Sequence, residues 1–202
     1  GQKHVPSGHP IAEMALAKLY KVTGDEKYLK MAKYFVEETG RGTDGHRLSE
    51  YSQDHKPILQ QDEIVGHAVR AGYLYSGVAD VASLTQDTAY FNALSRIWEN
   101  MASKKLFITG GIGSRPQGEG FGPNYELNNH TAYCETCAAI ANVYWNHRAM
   151  PSMPMYWSVL FIMELFRVFH SVAINFSMII RLSLWDNMNA STGLVALAVR
   201  VM

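Results

Sequence analysis

Residues 10–40 read PIAEMALAKLYKVTGDEKYLKMAKYFVEETG. Apolar side chains recur at helical spacing on both sides of Thr23–Asp25, a threonine, glycine and aspartate of the kind that ends one helix and caps the next. Pro10 is suited to the first turn of a helix, and Gly40 is expected to end the second helix. The stretch therefore predicts a helical hairpin.

The hairpin pattern returns further along the chain. Its apolar and capping positions recur at Leu74, Tyr75, Thr85, Asp87, Tyr90 and Leu94. The opening half appears again at residues 143–148. Successive hairpins predict an all-α fold, built as an array or toroid of paired helices. Strand signals are sparse, and Leu106–Thr109 is the short run predicted to be β-like.

A long irregular stretch, residues 110–129, interrupts this pattern with six glycines and two prolines. A loop of this length in a helical domain is usually functional or disordered. Charged and aromatic residues in or beside it favour function, namely Arg115, Glu119, Tyr125, Glu126 and His130. A phosphate-binding loop is not supported, because no lysine follows the glycines at the required place and no βαβ unit surrounds them. The stretch therefore predicts a glycine-rich active-site loop.

Composition bounds the possible partners. The 202 residues are 48% hydrophobic, enough to bury a core, and carry 18 basic and 18 acidic side chains. This balance argues against a nucleic-acid partner or an anionic membrane surface. Both the cytoplasm and the periplasm of a bacterium fit the sequence, although a reduced thiol is easier to maintain in a reducing compartment. The sequence leaves the oligomeric state open.

The two cysteines, Cys134 and Cys137, follow the loop in the sequence CETC. Three interpretations stay open from the residues alone. A redox dithiol would need a βαβ context, and a zinc knuckle would need a second pair of thiols or histidines at standard spacing. The third interpretation is a pair of small buried cysteines on the inner face of a helix.

Two stretches together carry a resemblance to a known family. Residues 109–148 read TGGIGSRPQGEGFGPNYELNNHTAYCETCAAIANVYWNHR, and residues 51–82 read YSQDHKPILQQDEIVGHAVRAGYLYSGVADVA. Both resemble glycoside hydrolase family 127, the β-L-arabinofuranosidase family. The resemblance covers roughly residues 1–148 without a large gap.

The resemblance implies a fold, a reaction and a set of site residues. Members have an (α/α)6 barrel and a retaining mechanism, in which a zinc-bound cysteine thiolate attacks the anomeric carbon of an L-arabinofuranose-containing glycan. By position in the motifs, Glu119 is similar to the catalytic acid/base, Glu135 and Cys137 to two zinc ligands, and His67 to a sugar-binding histidine. No role carries over to Cys134.

This chemistry sets two structural expectations. Glu119 has to hold its proton until transfer, through burial or through a neighbouring negative charge. Glu135 and Cys137 are two residues apart, so a regular helix would point them to nearly opposite sides. Because an extended segment places alternate side chains on one face, we predict that the helix begins at or just after Cys137.

From Met150 the chain becomes apolar and loses its helix caps and periodicity. Because the genetic code is degenerate, codons for this tail exist that, read in another frame, encode DAKYADVLERSFYNGVISG at its start and QHWFGCACCPGN at its end. Both sequences are similar to the family's continuation. We therefore interpret residues 1–149 as a partial catalytic barrel domain and residues 150–202 as an aberrant, frameshifted tail. The resemblance places the family's nucleophile and another zinc ligand in a Cys-Cys-Pro motif, which the encoded sequence lacks. The encoded chain is therefore predicted to be inactive.

Two other classes of protein compete with the enzyme. A helical-repeat binding module has no need for an acid/base glutamate and zinc ligands around one pocket. A membrane-anchored protein would need a span at residues 156–180, but Glu164, Arg167, His170 and Asn175 inside it would be costly in a bilayer. The enzyme is therefore preferred, with no membrane partner.

Overall fold

A computed structural model describes residues 4–149 of the protein. This range contains five α-helices: α1 (Ile11–Thr23), α2 (Glu26–Glu38), α3 (Ala68–Thr85), α4 (Thr88–Lys104) and α5 (Thr136–Ala149). Short 3₁₀ turns lie at Thr43–Gly45, Ile58–Gln60 and Gln117–Glu119. Residues 4–149 contain no β-strand, so the all-α prediction is confirmed for them.

The junction between α1 and α2 has the predicted chemistry. Gly24 follows α1 in the left-handed region at φ 71°, and its N–H donates to the carbonyl of Tyr20. The Asp25 side chain caps α2 by accepting a hydrogen bond of 3.0 Å from the backbone N–H of Lys27. A local signal of three residues thus sets the reversal of the chain.

The end of α2 differs from the prediction. The helix ends at Glu38, followed by Thr39 in an extended conformation, and not at Gly40. Gly40 lies beyond the helix at φ 82°, where an added Cβ would come within 2.1 Å of the backbone of Lys56. Glycine is therefore needed at position 40 because the backbone at Lys56 passes close to it, while Thr39 ends the helix.

The predicted strand at Leu106–Thr109 is also wrong. The N–H of Phe107 donates to the carbonyl of Gly111 at 2.9 Å, and the N–H of Gly110 donates to the carbonyl of Phe107 at 2.8 Å. These bonds close a turn on itself. A segment of β-like composition forms a strand only when it pairs with a neighbouring strand, and the described residues contain no strand to pair with.

Helix α3 lies at the centre of the described structure and contacts α1, α2, α4 and α5. Twelve of its eighteen residues are buried, including the continuous stretch 74–82. A helix surrounded by other helices has no solvent face, which is why its sequence shows little amphipathic pattern. The buried core around it includes Ala32, Val36, Ile58, Ile64, Leu94, Ile97, Met101, Ala138 and Trp145.

Two glycines let neighbouring helices approach α3 closely. A Cβ added to Gly72 would lie 2.7 Å from the Cβ of Ala141 on α5 and 2.9 Å from its carbonyl carbon. One added to Gly77 would lie 2.6 Å from the Cβ of Glu13 on α1. The separations of α1 and α5 from α3 are therefore set by glycine packing.

None of the helices in residues 4–149 is both long and apolar enough to cross a membrane. The tail that we predict after Ala149, with its segment 156–180, lies outside the described residues.

We expect Gly72→Ala to destabilise the fold. Overlap of the new Cβ with Ala141 costs about 1–3 kcal/mol, and the upper end applies because the backbone atoms of Ala141 cannot rotate away. The higher helix propensity of alanine offsets about 1 kcal/mol of this cost. Denaturant unfolding should show a net loss of about 1–2 kcal/mol. Gly8→Ala is the control, since no heavy atom lies within 4 Å of its added Cβ. Equal stability of the two variants would contradict the tight α3–α5 contact.

Candidate active site

The glycine-rich loop connects α4 to α5 and lies against the beginning of α3. The N–H of Phe121 donates to the carbonyl of Gly66 at 2.9 Å, and Gly120 exchanges two backbone hydrogen bonds of 3.0 Å with Arg115. A Cβ on Gly120 would lie 2.6 Å from the carbonyl oxygen of Gly66, so this position requires glycine. The loop thereby places Glu119 beside the N-terminus of α3.

His67 joins α3 to this loop. Its Nδ1 accepts a hydrogen bond of 3.2 Å from the backbone N–H of Val69, which caps the helix. Because Nδ1 is an acceptor, the neutral ring carries its proton on Nε2. Nε2 lies 2.9 Å from Oε2 of Glu119 and donates to it. The ring of Tyr51 meets the imidazole edge-on, with centroids 5.3 Å apart.

Tyr133, which the sequence analysis missed, links the two predicted functional glutamates. Its hydroxyl lies 3.0 Å from Oε1 of Glu119 and 3.4 Å from Oε1 of Glu135. The hydrogen bond to Glu119 is the main reason why the pKa of Tyr133 is raised to about 12, with desolvation and the charges of both glutamates adding to it. The signal in the sequence is its position two residues before Glu135, in the short segment between the glycine-rich loop and α5.

The prediction for the start of α5 is wrong by one residue. The helix begins at Thr136, and the carbonyl of Glu135 accepts its first hydrogen bond, from the N–H of Ala139 at 3.1 Å. Cys137 therefore lies in the first turn. Glu135 precedes the helix, so its side chain does not follow helical spacing, and its Oε1 lies 4.0 Å from the Sγ of Cys137.

The two cysteines are not a buried pair on a helix face. Cys137 is exposed, and Cys134 lies before α5 with its backbone at φ 39°. The interpretation of a packed pair of cysteines is therefore wrong. An exposed thiol beside a carboxylate is accessible to a ligand or a metal ion.

The fold brings the four predicted site residues to one place. One ligand atom each from His67, Glu119 and Glu135 lie within 4.8 Å of one another, and the thiol of Cys137 adjoins Glu135. Imidazole, carboxylate and thiolate are the ligand types that zinc takes in proteins, so the donor set fits this metal. Across the sequence, 52 residues separate His67 from Glu119.

The electrostatic setting of Glu119 differs in part from expectation. Its side chain is 44% exposed, so the burial expected of a proton donor is not found among the described residues. The second condition, a neighbouring carboxylate, is met by Glu135. Two other charged residues of the loop bind each other: Arg115 forms a bidentate pair with Glu126, with N–O distances of 2.8 and 2.7 Å. His130 lies exposed on the surface.

Known proteins share both the sequence and the fold. The family described as "Beta-L-arabinofuranosidase, GH127 catalytic domain" matches residues 1–155. The non-reducing end β-L-arabinofuranosidase of Bifidobacterium longum subsp. longum is 36% identical over 159 residues, which are 70% of this chain and 24% of that protein.

Solved structures agree with this match. A GH127 β-arabinofuranosidase superposes with a TM-score of 0.78 at 52% identity, over 83% of this chain and 26% of its own. A GH127 β-L-arabinofuranosidase from Geobacillus stearothermophilus T6 gives a TM-score of 0.77 at 36% identity, over 83% and 29%. The chain thus spans about a quarter of the length of these relatives.

The hairpins and the acidic cluster at the start of α3 define the class of protein, a partial (α/α)6 barrel of the kind found in carbohydrate-cleaving enzymes. Within that class, the chain belongs to glycoside hydrolase family 127.

The geometry predicts the tautomer of His67. NMR of the ring nitrogens in the neutral imidazole should show a protonated Nε2 and an unprotonated Nδ1. Glu119→Ala should shift the Nε2 resonance because it removes the acceptor, whereas Glu37→Ala on α2 should leave it unchanged. A protonated Nδ1 would contradict the capping role of the ring.

Proposed function

We propose that this chain is part of the catalytic domain of a retaining glycosidase that releases β-L-arabinofuranose from a glycan. The observation that carries the proposal is the convergence of His67, Glu119, Tyr133 and Glu135 at one end of α3 in a member of this family. A binding module would not need two carboxylates, an imidazole and a thiol around one small volume. The names of the relatives support L-arabinofuranose as the sugar.

Glu119 is the proton donor in this proposal. Its carboxyl group gives a proton to the leaving oxygen as the glycosidic bond breaks, and the resulting carboxylate later takes a proton from the attacking water. Between these steps, the N–H of His67 and the hydroxyl of Tyr133 each lie beside one of its oxygens, at 2.9 and 3.0 Å, and stabilise the charge. These contacts also fix the direction of the carboxyl group.

Glu135 and Cys137 would hold zinc, which supplies positive charge that keeps cysteine thiols ionised and positioned. Their Oε1 and Sγ atoms are 4.0 Å apart, near enough to bind one ion after small side-chain rotations. Tyr133 contacts Glu135 and so orients this ligand from outside. The family places the nucleophile and a further ligand in a Cys-Cys-Pro motif, which is not in the 202 residues.

We extend the proposal to the tail. Residues 150–202 are the product of a shifted reading frame, and the chain as encoded is inactive because it holds the acid/base without the nucleophile. The sequences permitted in the other frame support this, since both resemble the family's continuation and one of them contains a Cys-Cys-Pro motif.

The activity test compares this chain with a version that has a restored frame and the full length of the relatives. An aryl β-L-arabinofuranoside should be hydrolysed only by the restored protein. Glu119→Gln should lower its rate about 10²–10⁴-fold, as expected for loss of a general acid. Glu99→Gln, an exposed carboxylate on α4, is the matched control. No hydrolysis by the restored protein, or an active Glu119→Gln variant, would contradict the proposed function.

Zinc binding can be measured on the chain itself, by equilibrium dialysis and metal analysis. Cys137→Ser and Glu135→Gln should each weaken zinc binding by roughly tenfold or more, because each removes one ligand. Cys134→Ser is the control, since it changes the neighbouring thiol that has no proposed role. If Cys134→Ser has the larger effect, Cys137 is not the ligand.

A further inference from the structure

A cavity of about 350 Å³ with several charged and polar side chains in its lining lies near the first turns of α3. It is bounded by the segment before α1, the segment after α2 and the first turns of α3. Its lining includes Ser7, Glu13, His46, Asp54 and Arg70. A volume of this size is in the range of small-molecule sites, and it has no role in the mechanism described above.

Two buried polar atoms in the lining have no hydrogen-bond partner within the described residues. Glu13 is 1% exposed; its Oε1 accepts from Ser7 at 2.6 Å, while Oε2 has no partner. Arg70 donates from one terminal nitrogen to the carbonyl of Gly8 at 3.2 Å, while its buried Nε has no partner. Unmet polar atoms of this kind are costly and rare in folded proteins. Two residues of the lining, Glu13 and Arg70, therefore carry one unpaired acceptor atom and one unpaired donor atom.

The charges of the lining select a neutral ligand. Arg70 disfavours a cation, whereas Glu13 and Asp54 disfavour an anion. Asp54 is already bound to His46 and to the N–H of Ser49. Burial raises the pKa of Glu13 to about 7, so near neutral pH this carboxyl group can donate as well as accept. Sugar hydroxyls have the matching property, since each can donate and accept.

The position of the cavity connects it to Glu119. Arg70 lies three residues after His67, hence on the same face of α3. Its guanidinium group is 5.8 Å from the ring centroid of Tyr51, and that ring in turn packs against His67. Tyr51 therefore contacts both Arg70, which lines the cavity, and His67, which binds Glu119.

We propose that the Glu13–Arg70 cavity binds the sugar unit on the leaving-group side of the bond that is cut at Glu119. This inference rests on the proposed function. The Bifidobacterium relative is named as a non-reducing end enzyme, and such an enzyme removes one terminal sugar. A second sugar beside its site therefore belongs to the leaving group.

The test measures binding to the chain itself with two probes. One is methyl β-L-arabinofuranoside, with a single sugar, and the other is the methyl glycoside of a β-L-arabinofuranosyl disaccharide. Ligand-detected NMR should show the disaccharide binding about tenfold more tightly. Glu13→Gln, which keeps an acceptor for Ser7, and Arg70→Lys, which keeps the charge, should each remove most of that advantage. Neither should change the affinity for the single sugar.

Two further variants separate the possible failures. Glu99→Gln should bind both probes as the parent does, and His67→Ala should weaken both. Two outcomes would overturn the cavity inference and leave the proposed function standing, provided that the single sugar binds through His67. In the first, the disaccharide binds no more tightly than the single sugar; in the second, Arg70→Lys still binds the disaccharide more tightly. If the single sugar does not bind, or His67→Ala has no effect, both fall. Thermal unfolding of each variant identifies those that fold, and Arg70→Lys carries the test if Glu13→Gln does not.

Discussion

The N-terminus of α3 is the point on which the candidate site depends, because one imidazole ring binds both the helix and the loop that carries Glu119. The Nδ1 of His67 caps the helix, and this acceptor role leaves the Nε2 proton free to face Glu119. A histidine that was free to change its tautomer could not hold the carboxylate in this way. The backbone bond from Phe121 to Gly66 brings the loop to the same position. Helix capping and orientation of the Glu119 carboxylate are therefore a single structural requirement.

The second half of the site is positioned through α5. The contact of Gly72 with Ala141 sets how closely α5 approaches α3, and the first turn of α5 carries Cys137. Glu135 lies just outside that helix, where its side chain can turn towards Tyr133 and Glu119. Glycine packing in the core thus fixes the distance between the proposed proton donor and the proposed metal ligands, although no glycine of α3 takes part in the chemistry.

Features that depend on residues close together in the sequence were predictable from it. Features that depend on how the chain brings distant residues together were not. The reversal at Gly24 and Asp25 follows from local capping chemistry, and it was correct. The strand at Leu106–Thr109 failed because strand formation depends on a partner. His67 and Glu119 came from motif resemblance, but their hydrogen bond spans 52 residues and needs the loop to fold back. Tyr133 was missed because only that path brings its hydroxyl to both glutamates.

The pairing of Glu119 with Glu135 explains why the surrounding groups are donors. Two carboxylates whose oxygens lie within 4.8 Å repel each other when both are charged. The N–H of His67 and the hydroxyl of Tyr133 oppose that repulsion with fixed dipoles, and a cation bound at Glu135 and Cys137 would oppose it with a full charge. Tyr133 contacts both glutamates, so any change of charge at the proposed metal ligand also acts on the proposed acid/base. In this arrangement the proposed metal site and the proposed proton donor form one electrostatic unit, coupled through a single phenol.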